Sequence, residues 1–73
     1  MNTEEIILDA NTVRIVDLLQ QINELNDMIA LHRTISQDDF MRKQYEYKKT
    51  EMMHELASIL QSFQIEAHFA NAA

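Results

Sequence analysis

Hydrophobic residues recur every seven positions through the first half of the chain. The repeat consists of two apolar rows three residues apart: Leu8, Ile15, Ile22 and Ile29 in the first, and Leu18 and Leu25 in the second. Asn11 and His32 occupy the ends of the second row. This a/d spacing is typical of a helix that packs along one seam. It predicts a packing surface rather than a chemical site.

The second half carries another apolar stripe at helical spacing. Its main members are Tyr45, Met52, Leu56, Ile59 and Phe63, with Met41 and Leu60 beside them. Lys49 interrupts the stripe, and we expect its aliphatic stem to lie along the apolar surface while the ammonium reaches water. The stripe predicts a second helix, from about residue 37 to about residue 68.

The segment Thr34-Ile35-Ser36 is the predicted break between the two helices. If Ser36 is the N-cap, Asp39 falls at N3 and imitates a capping box. Ile35 and Phe40 then take the two positions of a hydrophobic staple. These signals predict a turn at about 34–36, after a first helix over about 3–33. Thr3 is the predicted cap of that helix, and a start near Asn11 or Thr12 is the alternative.

We expect an all-α fold in a single domain, residues 1–73. Helices of about 30 residues are about 45 Å long, and a short loop folds them back antiparallel. Two helices leave much of each stripe exposed, so the prediction is a four-helix bundle, a coiled-coil-like homodimer, with a larger oligomer or a heteromeric partner as alternatives. The predicted self-association interface is Leu8, Ile15, Leu18, Ile22, Leu25, Ile29, Tyr45, Met52, Leu56, Ile59 and Phe63.

Composition narrows the function classes. The chain has 73 residues and lacks Gly, Pro and Cys. A phosphate-binding loop and a dinucleotide fingerprint need glycine where the backbone approaches phosphate. A cysteine nucleophile, a thiolate zinc site and disulfides are excluded. A small domain without such staples often gains stability by oligomerising.

Charge and hydropathy bear on partners and location. The formal net charge is −6, which disfavours nonspecific binding to nucleic acid. The first residues lack the basic n-region of a signal peptide. No apolar run approaches the roughly 20 residues that a membrane span requires. We therefore expect a cytoplasmic protein without membrane contact.

Glu51-Met52-Met53-His54 is the sharpest chemical pattern, because ferritin-like bundles use Glu-x-x-His to hold two metal ions. At 100° per residue, however, His54 falls roughly opposite the apolar stripe, so a solvated polar face is the preferred interpretation. His32 is expected to form hydrogen bonds at the helix end. We predict no catalytic, cofactor-binding or metal-binding residues, and no enzymatic activity.

Two further groups of residues could form binding surfaces. Four cations, Arg42, Lys43, Lys48 and Lys49, surround Tyr45 and Tyr47, a mixture that can bind single-stranded nucleic acid. They point in several directions around the helix, which weakens that interpretation. Apolar residues off the seams could form a docking surface for a partner. They are Ile6, Ala10, Val13, Met28, Leu31, Phe40, Tyr47, Ile65 and Phe69.

These observations favour a non-enzymatic helical hairpin that self-associates and binds another protein, as an adaptor, regulator or co-chaperone. A nucleic-acid-binding hairpin dimer is the second hypothesis, and a metal-binding helical bundle is the third. The identity of the binding partner is not encoded in any motif of the chain.

Overall fold

The computed structural model describes residues 9–69 of the chain. Two α-helices form the fold, α1 over Ala10–Thr34 and α2 over Asp39–Ser62, and they pack against each other. Ion pairs between Arg14 and Glu55, and between Arg33 and Glu46, show that the helices are antiparallel. Residues 9–69 contain no strand. The predicted all-α fold with two packed helices is therefore confirmed.

Asp9 determines where α1 begins. Its carboxylate accepts a hydrogen bond from the backbone N–H of Thr12 at 2.9 Å and one from the Thr12 hydroxyl at 3.2 Å. The backbone bond from Thr12 holds the pKa of Asp9 below its ordinary value. The helix that carries the seam thus starts at Ala10, close to the alternative near Asn11. Thr3, Leu8 and the predicted helical segment before Asp9 lie outside the described residues.

The predicted cap of the second helix is wrong. Asp38, not Ser36, is the N-cap of α2, because its side chain accepts from the backbone N–H of Met41 at 3.0 Å. Asp39 is consequently the first helical residue rather than N3. Aspartate caps as well as serine does, and Gln37 between the two candidates has a φ of 53°, which no right-handed helix can include.

The predicted hydrophobic staple does not form either. Ile35 is 76% exposed and Phe40 is 70% exposed. With Asp38 as the cap, these residues no longer occupy the N′ and N4 positions that a staple requires. Ser36 has a different contact, since its hydroxyl lies 2.7 Å from Nδ1 of His32.

Glutamine takes the place of glycine after both helices. Gln37 and Gln64 have φ values of 53° and 63°, in the left-handed region that glycine usually occupies at a helix C-terminus. After α2 the N–H of Gln64 donates to Gln61 at 2.9 Å, and the N–H of Ile65 donates to Leu60 at 3.1 Å. These are the two hydrogen bonds of a Schellman motif.

This motif ends α2 at Ser62, so the predicted extension to about residue 68 is wrong. The last carbonyls find their donors in Gln64 and Ile65, and residues 65–69 are not helical. Phe63 becomes the C-cap and remains 42% exposed. The packed part of α2 is correspondingly shorter than the apolar stripe in the sequence.

The hydrophobic core of the hairpin is thin. Only Leu18, Ile29 and Leu56 are buried among the residues that the structure describes, with exposures of 0%, 8% and 4%. Six other residues of the predicted interface are half-buried: Ile15, Ile22, Leu25, Tyr45, Met52 and Ile59. The seam is thus only partly covered by one hairpin.

Replacing the observed cap should cost more than replacing the predicted one. Asp38→Ala removes the acceptor for the Met41 N–H and should lower the free energy of unfolding by about 1 kcal/mol. Ser36→Ala removes only an exposed side-chain contact with His32 and should cost less. Urea denaturation of both variants measures the difference. A larger loss for Ser36→Ala would restore Ser36 as the cap.

Gln64→Gly should stabilise the protein, by up to about 1 kcal/mol, because glycine adopts positive φ without the steric cost that an L-residue bears. The matched control is Gln61→Gly, which places glycine inside the last turn of α2 and should destabilise by about 1 kcal/mol. Thermal unfolding of the two variants should therefore shift in opposite directions. Destabilisation by both would contradict a left-handed Gln64.

Candidate interaction surface

A bidentate ion pair joins the two helices on one flank of the seam. Nε of Arg14 donates to Oε2 of Glu55 at 2.6 Å, and Nη2 donates to Oε1 at 2.9 Å. The hydrogen bonds from Arg14 lower the pKa of the Glu55 carboxyl, and Glu55 in turn raises the pKa of Arg14. The planar fork of arginine matches a carboxylate, so the pair orients α1 relative to α2.

The same flank carries a longer polar network. Asp17 accepts from Nη1 of Arg14 and from Nε2 of Gln21, the second bond at 2.9 Å. Arg14, Asp17 and Gln21 follow one another at helical spacing along α1. We call this side of the hairpin the charged flank, defined by Arg14, Asp17, Gln21 and Glu55.

The turn end of the hairpin has its own polar contacts. Arg33 of α1 donates to Glu46 of α2 at 3.1 Å, and Arg42 donates to the same carboxylate at 3.2 Å. The rings of His32 and Tyr45 stack, with centroids 5.4 Å apart and planes inclined by 13°. His32 thus belongs to the packing of the turn end, in addition to the hydrogen bonding predicted for it.

The opposite flank of the seam is apolar. We call it the apolar face, defined by two rows at helical spacing: Ile15, Leu19 and Ile22 on α1, and Met53, Ala57 and Leu60 on α2. Arg33 continues the first row and Glu46 continues the second. Because Arg33 and Glu46 are hydrogen-bonded, both rows lie on the same side of the hairpin.

The apolar face carries no charge along most of its length. Between its rows and the turn end lie the uncharged residues Asn26, Ala30 and Thr50, and Thr12 lies beyond the first row at the open end. Lys49, four residues before Met53, is half-buried at the border with the seam. Leu19 is 51% exposed and its neighbour Val16 is 47% exposed. Ala57 also lines a shallow recess of about 370 Å³, together with Gln61, Gln64, Ile65, Glu66 and Ala67.

Sequence reasoning missed much of this surface. Leu19, Met53 and Ala57 belong to neither heptad row, so periodicity did not select them. Arg14 carried a usable signal, because it is the only Lys or Arg before Arg33 and directly precedes Ile15 of the first apolar row. Its partner Glu55 could not be chosen among the acids of the second half without the packing.

The other candidate sites remain dispersed. Glu51 and His54 are both exposed, and within residues 9–69 no three His, Asp or Glu side chains come close enough to share a metal ion. Lys43, Lys48 and Lys49 form no ion pair with an acid of the described segment. Tyr47 is 67% exposed on the side of α2 that faces away from α1.

The off-seam apolar residues show the same dispersal. Val13, Leu31, Phe40, Tyr47, Ile65 and Phe69 are exposed, whereas Met28 is half-buried. Ile6 lies outside the described residues.

Neither described helix, in the segment from residue 9 to residue 69, is long and apolar enough to cross a membrane. The chain matches no family model, no curated protein and no solved structure.

The Arg14–Glu55 pair predicts a pH-dependent stability. The folded state lowers the pKa of Glu55 below its ordinary value of 4.5. The stabilisation is therefore fully present above about that pH and is lost as pH falls through the lowered pKa. Glu55→Gln should lower the melting temperature at pH 7 and have little effect in strong acid.

Glu51→Gln is the matched control, since Glu51 forms no ion pair within residues 9–69. Its melting temperature should stay close to that of the unmodified protein at both pH values. Equal effects of the two substitutions at pH 7 would show that Glu55 acts only through net charge.

Proposed function

We propose that this chain is a non-enzymatic helical-hairpin protein that self-associates into a four-helix bundle and acts by binding another protein. An adaptor, a regulator or a co-chaperone would each fit this mode of action. The observation that carries the proposal is the incomplete burial of the seam. Leu18, Ile29 and Leu56 are buried, whereas Ile15, Ile22 and Met52 are only half-buried.

Exposed apolar surface of this extent supports binding to a macromolecule. Monomeric proteins rarely keep contiguous apolar patches larger than a few hundred Å² in contact with water. Here the half-buried seam continues into the apolar face, where Leu19 is half-exposed. A second hairpin is the proposed first partner, because a dimer of hairpins covers both helices at once.

The contacts in the described segment support structural roles for the polar residues. Arg14, Arg33 and Arg42 each pair with an acid, and Asp9 and Asp38 cap the helices. Glu51-x-x-His54 is directed toward solvent rather than toward α1. Metal analysis of protein purified without chelator tests the metal-binding alternative, which stoichiometric metal lost in His54→Ala would favour.

Binding of single-stranded nucleic acid is the second candidate function. The supporting observation is that Lys43 and Lys48 are exposed, unpaired within residues 9–69, and close in sequence to the exposed Tyr47. Such binding would combine charge with aromatic stacking and would weaken with salt. A salt-sensitive mobility shift that Tyr47→Ala abolishes would favour this function over protein binding.

Self-association predicts a melting temperature that rises with protein concentration, because a dimer is favoured by mass action. Ile22→Asp places a charge on the central seam, where burial without a partner is costly. This variant should unfold or become monomeric. Light scattering and thermal melts over a dilution series measure both effects.

Glu24→Ala is the control, since Glu24 is exposed and off the seam. It should change stability by no more than roughly 0.5 kcal/mol and leave the mass unchanged. A compact monomer whose melting temperature is independent of concentration would overturn the proposed self-association.

A further inference from the structure

We infer that the second copy docks on the apolar face, so that two hairpins meet through Ile15, Leu19, Ile22, Met53, Ala57 and Leu60 and keep their charged flanks in water. This inference rests on the proposed self-association and specifies its geometry. It differs from the interface expected from the heptad rows, because Leu19, Met53 and Ala57 do not belong to those rows.

The distribution of charge makes the apolar face a better docking surface for a second copy than the charged flank. The chain has a net charge of −6, so two copies repel each other wherever their acids meet. The charged flank presents Asp17 and Glu55, and its one arginine, Arg14, is already engaged by both. The apolar face presents no acid between Thr12 and Ala30 on α1 or between Thr50 and Leu60 on α2. Two copies therefore meet along these stretches without burying like charges, and Glu66, the acid that lines the recess, contacts His68 at 2.8 Å and is largely exposed.

The size of the face suits a stable dimer. Residues 12–30 of α1 span about 30 Å, and two helices side by side are about 20 Å wide. The face thus offers about 600 Å² on each copy. Pairing two such faces buries about 1,200 Å², the lower end of the range for specific protein interfaces.

The shape of the apolar face favours its pairing with the same face of a second copy. Leu19 follows the buried Leu18 and is half-exposed, whereas Ala57 follows the buried Leu56 and borders the recess of about 370 Å³. A two-fold axis brings the same patch of both copies together, so each contact occurs twice. Leu19 of each copy would then enter the recess beside Ala57 of the other.

Leu19→Lys and Gln20→Lys form a matched pair for the test. Both add one positive charge at adjacent positions of α1, but Gln20 is exposed on the side away from the apolar face. Sedimentation equilibrium should show a dimer for the unmodified protein and for Gln20→Lys. Leu19→Lys should raise the dimer dissociation constant by at least about 100-fold, because two central anchors are lost per dimer. Circular dichroism checks that each variant keeps its helices.

A second measurement does not depend on disrupting the interface. The chain has no cysteine, so Leu19→Cys and Gln20→Cys each introduce a single thiol. The rate of thiol modification should fall with rising protein concentration for Leu19→Cys and stay constant for Gln20→Cys. Protection of both thiols, or of neither, in a protein that is a dimer would overturn the docking face while leaving self-association intact. A monomer at all concentrations would overturn both proposals.

Discussion

A hairpin of two helices cannot enclose its own seam, and the rest of this structure follows from that constraint. Two cylinders packed side by side touch along one line, so only residues on the line lose contact with water. Leu18, Ile29 and Leu56 lie on it and are buried, while Ile15, Ile22 and Met52 beside it are only half-buried. Burial of apolar surface is the main favourable term in folding. Because residues 9–69 of this small chain bury so small a core, we expect further burial to stabilise the fold, and a second copy is the source that we propose.

The polar contacts set geometry more than they supply stability. Exposed ion pairs contribute little to the free energy of folding, and those of Arg14 and Arg33 are partly solvated. Their positions nevertheless define the relative placement of the helices, one near the open end and one near the turn. The Arg14–Glu55 pair lies on the charged flank in the middle of the hairpin, whereas the Arg33–Glu46 pair lies on the opposite flank at the turn end. Away from the turn end this opposite flank is apolar, and this asymmetry is what distinguishes the two sides as docking surfaces.

Because the chain has no glycine, glutamines adopt the left-handed conformation after both helices. Gln37 and Gln64 adopt the left-handed conformation that satisfies the last carbonyls of α1 and α2. An L-residue has a steric cost in this conformation, and Gln37 and Gln64 both carry it. The consequence for the surface is direct, because the reversal at Gln64 brings residues 65–67 beside Ala57 and creates the recess on the apolar face.

Periodicity determined the two helices, because a heptad row records which side of a helix meets a partner. The turn signals around Ser36 indicated the break, and the short loop indicated antiparallel packing. Helix ends were less predictable. Ser36 and Asp38 both satisfy the rules for a cap, and hydrogen bonding of the backbone around Gln37 selects between them. Only the tertiary structure decided how the flanks pair. Arg14 and Glu55 are 41 residues apart in the chain, and no local pattern links them. The apolar face arises in the same way, since Leu19 and Ala57 come to lie on one side of the hairpin only after the helices pack.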